Sequence, residues 1–206
     1  MGFTASIVLK EKPKSYIGVE LNEEAAENLK RKISDAGQKI ITANASSVPC
    51  SDSSVDKLYG EAMLTMHADH RKIEIIREAH RLLRKGGLYA IHELGLSPDD
   101  LAEDTKNNIR RQLAETIHVN ARPLTQPEWR LLLEQEGFKV KAILTNPMNL
   151  LEMKRVVDDE GFFRALKIGF NVMRYPKERK HILKMRKVFR QFSDNMNAVC
   201  IISEKI

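Results

Sequence analysis

Short apolar runs alternating with stretches of helical period constrain this chain more than any other feature of its sequence. Residues 15–21 form a compact apolar run closed by an acid, and residues 39–44 and 55–61 read as second and third strands. Residues 88–94, 138–145 and 197–203 read as three more. Between them lie helical patterns. One covers residues 2–11, and one runs from an Asn22 N-cap, with Glu23 and Glu24 in its first turn, toward Gly37. Another covers residues 69–83, where Ile73, Ile76, Ala79, Leu82 and Leu83 recur at helical spacing. A helix is expected to start at Pro98 and run to about His118, and another to open at Thr125-Gln126-Pro127 and stop at Gly137. Residues 149–192 read as helical, with breaks near Asp158 and Pro176.

Strands separated by helices of this length imply an α/β fold, a doubly wound and mostly parallel sheet covered on both faces. At 206 residues it is one domain carrying an insertion. In such sheets ligands sit beyond the carboxyl ends of the strands. That rule selects Glu20, Asn44, Glu61, His92 and Glu93 as mouth residues and leaves Ile17, Val19, Ile41 and Ile91 as expected core. Glu20 has a specific use there, because two carboxylate oxygens can accept both hydroxyls of a ribose.

Several function classes drop out. No apolar run is long enough to cross a membrane, and the first residues lack a basic region and a cleavage site. Two distant cysteines, Cys50 and Cys200, make no disulfide framework and point to a reducing, cytoplasmic setting. No G-x-S-x-G elbow, phosphate-cradling P-loop or G-x-G-x-x-G ahead of Glu20 is present. His67 and His70 stand without a second cluster, so no metal site is expected. The net charge of +6 is concentrated: residues 154–190 hold twelve Lys or Arg against four acids. Such a segment can be a solvated helical face, or it can attract an anion or nucleic acid.

Ordered motifs narrow the fold further. Gly18-Val19-Glu20-Leu21 is followed by Asn44-Ala45, then Val48-Pro49-Cys50 with Ser54-Val55-Asp56, then the Arg81-Leu82-Leu83-Arg84-Lys85-Gly86-Gly87 turn. This series resembles the class I S-adenosylmethionine-dependent methyltransferases, in particular the ubiquinone and menaquinone C-methyltransferase branch. Residues 125–138 also resemble the late helix and strand of these enzymes. The resemblance implies a Rossmann-like methyltransferase fold, S-adenosyl-L-methionine as cofactor and methyl transfer to a small molecule. It implies that Glu20 holds the ribose hydroxyls, that Leu21 packs beside the adenine, and that the Asn44 side-chain oxygen accepts from the adenine amino group. Ala45 would present its backbone N–H to the ring, Glu61 would meet the methionine ammonium, and Asp56 would be structural.

Two departures accompany the resemblance. The family's first strand and Gly-rich turn are represented only by Met1-Gly2, so Gly2 is a remnant of the cofactor turn and the strand expected between those ending at Glu20 and Glu61 is missing. The chain is therefore expected to be a fragment, or to take a strand from elsewhere, with a second copy one source. The other departure is residues 147–192, a helical cap insertion whose Leu150, Leu151, Phe162, Phe163, Leu166 and Phe170 should face the sheet mouth. The domain reading is thus a core over 1–146, the cap over 147–192 and a final core strand over 193–206.

Methyl transfer from a sulfonium needs chiefly alignment of acceptor and methyl carbon, and a general base is optional. Candidates for a base are His67, His92 and Glu93. His92 and Glu93 are consecutive strand residues, so one of the two faces the pocket. Two other classes stay open: a non-catalytic binding protein that retains the fold, and a nucleic-acid methyltransferase using the basic insertion. The basic helices lack the interleaved aromatics that stack bases, which favours the small molecule.

Overall fold

The computed structural model describes residues 3–33, 37–148 and 174–206. Seven strands and six α-helices alternate along them. In chain order they are α1 (Phe3–Lys10), β1 (Tyr16–Glu20), α2 (Glu23–Lys32), β2 (Gln38–Thr42) and β3 (Val55–Glu61). A 3-10 turn (Leu64–Met66), α3 (Asp69–Leu82), β4 (Leu83–Leu96), α4 (Glu103–Ile117) and β5 (Leu124–Thr125) follow. The chain continues with α5 (Gln126–Gln135), β6 (Phe138–Pro147), α6 (Pro176–Gln191) and β7 (Met196–Lys205).

The expected alternation is present, and the strands are mostly parallel. They form two sheets, not one. β1 and β2 make a parallel pair of their own, while β3-β4-β7-β6, with β5 alongside the end of β4, make the larger sheet. Only β7 runs against its neighbours, pairing antiparallel with both β4 and β6. The main core fills one side of this sheet with Leu64, Ile75, Ile76, Tyr89, Ile91, Trp129, Leu133, Phe138 and Val199. A second cluster joins Leu96, Ile109, Leu113, Val188, Phe192 and Met196, and so packs α6 onto α4.

Local chemistry explains most boundaries. Asn22 caps α2 by accepting the Ala25 N–H at 2.8 Å. Thr125 and Glu128 form a reciprocal capping box on α5, and Gly137, at φ +84°, turns the chain into β6 in a conformation that suits glycine. Any Cβ at Gly137 would also press on the His80 ring at 2.9 Å.

Four expectations need correction. Ile17 and Val19 are 41% and 38% exposed, not core, because β1 is paired along one edge only. β4 starts at Leu83, not Leu88. Ser53 and Ser54 donate to the carbonyls of Arg81 and Leu82 at 2.9 Å, drawing Leu83 into register with Val55. The helix expected at Pro98 starts at Glu103, where Glu103 and Asp104 place negative charge in its first turn; Pro98 lies in the preceding turn. The pairing at β5 was not anticipated, since two residues carry no periodicity. The apolar cap residues Leu150, Leu151, Phe162, Phe163, Leu166 and Phe170 lie outside the described residues, as does Gly2.

Candidate active site at the carboxyl ends of the strands

Glu20 closes β1, Asn44 follows β2, Glu61 closes β3, and His92 lies in register with Glu61 on β4. Parallel pairing aligns Glu20 with Thr42 and Glu61 with His92, so each sheet presents its polar residues at its own carboxyl end. Thr4, in the first turn of α1, donates its hydroxyl to Glu61 and brings the start of that helix to the same rim.

Glu20 accepts the Asn22 N–H on one carboxylate oxygen at 3.1 Å. Leu21, 67% exposed, stands beside it as an uncovered apolar surface. Ala45 is half-buried against the main core. The Asn44 oxygen does not behave as the resemblance implies. It accepts both the backbone N–H and the hydroxyl of Ser46, each at 3.0 Å, in an Asx-type turn. A carbonyl oxygen has two lone pairs, so this local turn occupies the acceptor expected to face an adenine amino group.

The pair His92 and Glu93 separates as strand alternation requires. His92 points outward, its Nδ1 lying 3.8 Å from a Glu61 oxygen, with both side chains about half exposed. Glu93 points inward and is 3% exposed. Its carboxylate collects the backbone N–H groups of Met63, Leu64 and Thr65 at 3.0, 2.8 and 3.0 Å, and the Thr65 hydroxyl at 2.7 Å. Those are the donors a short helical turn leaves unsatisfied at its start. Glu93 therefore orders the loop after β3 and has no spare oxygen for proton transfer, which corrects its candidacy as a base. His67, half-buried, closes that loop with its N–H on the Leu64 carbonyl at 3.0 Å.

The loop is tied further. Arg122 N–H donates to the Thr65 carbonyl at 2.8 Å, and the buried Lys72 ammonium donates to the Arg122 carbonyl at 2.8 Å and to Asp69 at 2.9 Å. Burial pushes the Lys72 pKa down, against the pull of Asp69. No local sequence signal marks the two contacts of Arg122, because Thr65 and Lys72 lie 50 or more residues away from it.

Arg81 was legible as part of a motif, and its role is now plain. Its guanidinium reaches both Glu78 oxygens at 2.8 Å, the Cys50 carbonyl at 2.8 Å, the Val48 carbonyl at 3.0 Å and the Asp52 carboxylate. Glu78 in turn accepts the Val48 N–H at 2.6 Å, and the Arg81 charge holds its carboxyl below the ordinary value. One arginine thus straps residues 48–52 to α3, joining two motif segments that are separate in sequence. Asp56, paired with Arg84 at the start of β3, is structural as expected. Among the described residues no cluster of three or more His, Cys, Asp or Glu is arranged to hold a metal ion.

Comparison with known proteins gives this rim a class. Residues 2–91 match the family model described as a methyltransferase domain. An uncharacterized protein of Haemophilus influenzae is 30% identical over the whole of this chain, which spans 81% of that relative. The chain belongs to the same family as that protein, and its residues 2–91 are similar to a methyltransferase domain.

Solved structures agree on the fold. A candidate sarcosine dimethylglycine methyltransferase from Galdieria sulphuraria superposes with a TM-score of 0.78 at 15% identity, covering 99% of this chain and 74% of that one. A geranyl diphosphate methyltransferase in complex with SAM does so at 0.70 and 13% identity, over 100% and 74%. The [4+2]-cyclase SpnF matches at 0.71 and 15% identity, over 99% and 70%. The residues present fit an adenosyl group, since Glu20 keeps an oxygen clear of its local bond and Leu21 offers a bare apolar face beside it.

Proposed function

We propose that this chain catalyses methyl transfer from S-adenosylmethionine to a small-molecule acceptor, as a member of the branch that resembles the ubiquinone and menaquinone C-methyltransferases. The observations that carry this are Glu20 at the carboxyl end of β1, and Glu61 at that of β3 with His92 in register beside it and Thr4 donating to it. The cofactor supplies an electrophilic methyl carbon on its sulfonium; the residues hold and align.

Glu20 accepts the ribose hydroxyls, with Leu21 packed along the adenine and the Ala45 N–H directed at the ring. Asn44 acts through its amide NH2, a donor to a ring nitrogen, because its oxygen is engaged by Ser46. Glu61 holds the methionine ammonium. His92, with its Nδ1 3.8 Å from a Glu61 oxygen, is the base where the acceptor needs one. His67, at the end of the loop ordered by Glu93, is positioned to touch the acceptor. The basic residues 154–190 lack the interleaved aromatics that stack bases, which favours a small acceptor over a nucleic acid, and Cys50 and Cys200, both unbridged, suit the cytoplasm.

Titration calorimetry with S-adenosylmethionine and S-adenosylhomocysteine tests the reading. Both should bind, and Glu20→Ala should weaken them by about 1.5–3 kcal/mol, the scale of hydrogen bonds to a charged acceptor. A second reading, a fold-retaining protein that performs no transfer, is favoured by the consumed Asn44 oxygen. A folded chain that binds neither ligand would establish it.

A further inference from the structure

Arg81 shows how an arginine is held when it braces this fold: its Nε and both Nη groups all meet protein acceptors. Arg110 and Arg122 are comparably shielded, at 15% and 37% exposed against 32% for Arg81, yet they are short of acceptors. Arg110 gives Nη1 to Glu103 at 2.9 Å and, more weakly, to Asn107 at 3.4 Å. The Arg122 guanidinium has one ion pair, from Nη2 to Asp69 at 3.0 Å. Among the described residues the Nε of each is shut from water without an acceptor. Nη2 of Arg110 and Nη1 of Arg122 have none there either. Shielded donors without partners are uncommon in folded proteins, and each calls for a partner or a reason.

The two arginines converge on one corner of the rim. The charges of both act on Asp69 and on the buried Lys72 ammonium. Arg122 lies two residues ahead of Leu124, which pairs with Gly95, so it stands level with Glu93 and with the carboxyl end of β3. Its N–H holds the Thr65 carbonyl, in the loop that His67 closes. Arg110 reaches the corner from α4, where it shares a face with Glu103 and Lys106. The ion pairs here join four cations (Lys72, Lys106, Arg110, Arg122) to three acids (Asp69, Glu103, Glu128). One positive charge is left without a counter-charge.

We infer that Arg110 and Arg122 form an oxyanion site that takes the carboxylate or phosphate group of the methyl acceptor. Calling the ligand the acceptor rests on the methyl-transfer reading; the binding of an oxyanion does not. An oxyanion brings the lone pairs that these donors lack, and a guanidinium can give it two parallel hydrogen bonds. One such group also balances the charge of the corner. It approaches through the Nη ends, since both Nε atoms are covered. Asp69 and Glu103 are well exposed, so water screens their repulsion of the incoming anion. The site thereby selects among acceptors: a neutral one leaves both arginines short of partners and binds more weakly.

The experiment follows the arginine Nε–H resonances of the nitrogen-15-labelled chain by NMR. Inorganic phosphate and acetate are the probes, each exchanged for chloride at constant ionic strength. At least one should shift the Arg110 and Arg122 resonances along a saturable curve, with no such curve at the exposed Arg179. Tighter binding of acetate assigns the site to a carboxylate, and tighter binding of phosphate assigns it to a phosphate. Arg122→Gln keeps the backbone bonds of residue 122 to Thr65 and Lys72. It should weaken binding read at Arg110 by about tenfold or more, the scale of a lost hydrogen bond between charged groups. Arg110→Gln should do the same to binding read at Arg122. Resonances of the unaltered chain that stay still with both probes would overturn the proposal. So would shifts that never saturate and match those of Arg179, or undiminished binding in Arg122→Gln. No adenosyl ligand is present in these titrations, so loss of the site leaves the methyl-transfer reading standing. A chain that binds the probes but neither S-adenosylmethionine nor S-adenosylhomocysteine keeps the oxyanion site and loses that reading.

Discussion

β1 and β3 are both short parallel strands that end in a glutamate, yet their surroundings differ sharply. β3 leans on β4, the most fully paired strand of the molecule, which is flanked by β3 and β7 and backed by Trp129, Tyr89 and Phe138. β1 has β2 alone, and its helix α2 buries only Ala25 and Ala26. The difference shows that strand sequence and strand burial are separable. Val19 and Ile91 read alike in sequence, and one is 38% exposed while the other is 1% exposed.

The largest effect should come from the packed half. Trp129 is fully buried, and its indole N–H lies 3.4 Å from the Leu94 carbonyl. Trp129→Ala should cost about 3–5 kcal/mol in urea or thermal unfolding. A loss under about 1 kcal/mol would erase the contrast between the halves.

Next comes the polar knot between β4 and the rim. Glu93→Gln keeps the volume and replaces one acceptor oxygen by a donor facing backbone N–H groups. We expect a loss of about 2–3 kcal/mol, from buried donors left without an acceptor. Faster amide exchange at Met63, Leu64 and Thr65 is the local readout. Unchanged exchange there would show that the loop is held by Arg122 and Lys72 instead.

Arg81→Ala should lower stability at pH 7 by less than either of those changes, read by urea unfolding, since Arg81 is partly exposed and solvent weakens its pairing. Its pH dependence has a definite sign. The folded Glu78 carboxyl lies below its ordinary value of 4.5, so its pairing stabilises the fold above about pH 4.5 and is lost as the pH falls through the folded pKa. The gap between wild type and Arg81→Ala should therefore narrow below pH 4.5. A gap constant from pH 7 to pH 3 would remove Glu78 from the account.

The smallest effect belongs to the open half. Ile17→Ala should cost less than about 1 kcal/mol in the 206-residue chain, because much of the side chain already meets water. A loss above about 2 kcal/mol, the range for a buried Ile truncated to Ala, would show that β1 is packed as tightly as β4.

Much of the fold was legible because its signals are local. The Asn22 cap and the Thr125-Gln126-Pro127 opening each lie within a few residues, and α2 and α5 start where those signals place them. Pro98 misled because proline suits both a first helical turn and an ordinary turn, and the acids that start α4 lie five and six residues later. At the rim, the strand pattern put Glu20 and Glu61 at the ends of β1 and β3, where the structure has them, but it did not separate His92 from Glu93. Alternation says that the two face opposite ways; which way each faces depends on the side of the sheet that carries the core.

The order of strands and helices, the identity of the acidic strand ends and the mostly parallel character of the sheet were determined by the sequence alone, through period, capping and the rule that strands joined by helices run parallel. Tertiary structure decided the rest. It gave the Glu93 carboxylate to three backbone amides 28 to 30 residues away and spread Arg81 over a loop some 30 residues distant. It also left β1 and β3 unjoined. Side-chain hydrogen bonds and strand edges are satisfied by whatever comes near in space, and nearness between distant residues is set by packing that no local pattern encodes.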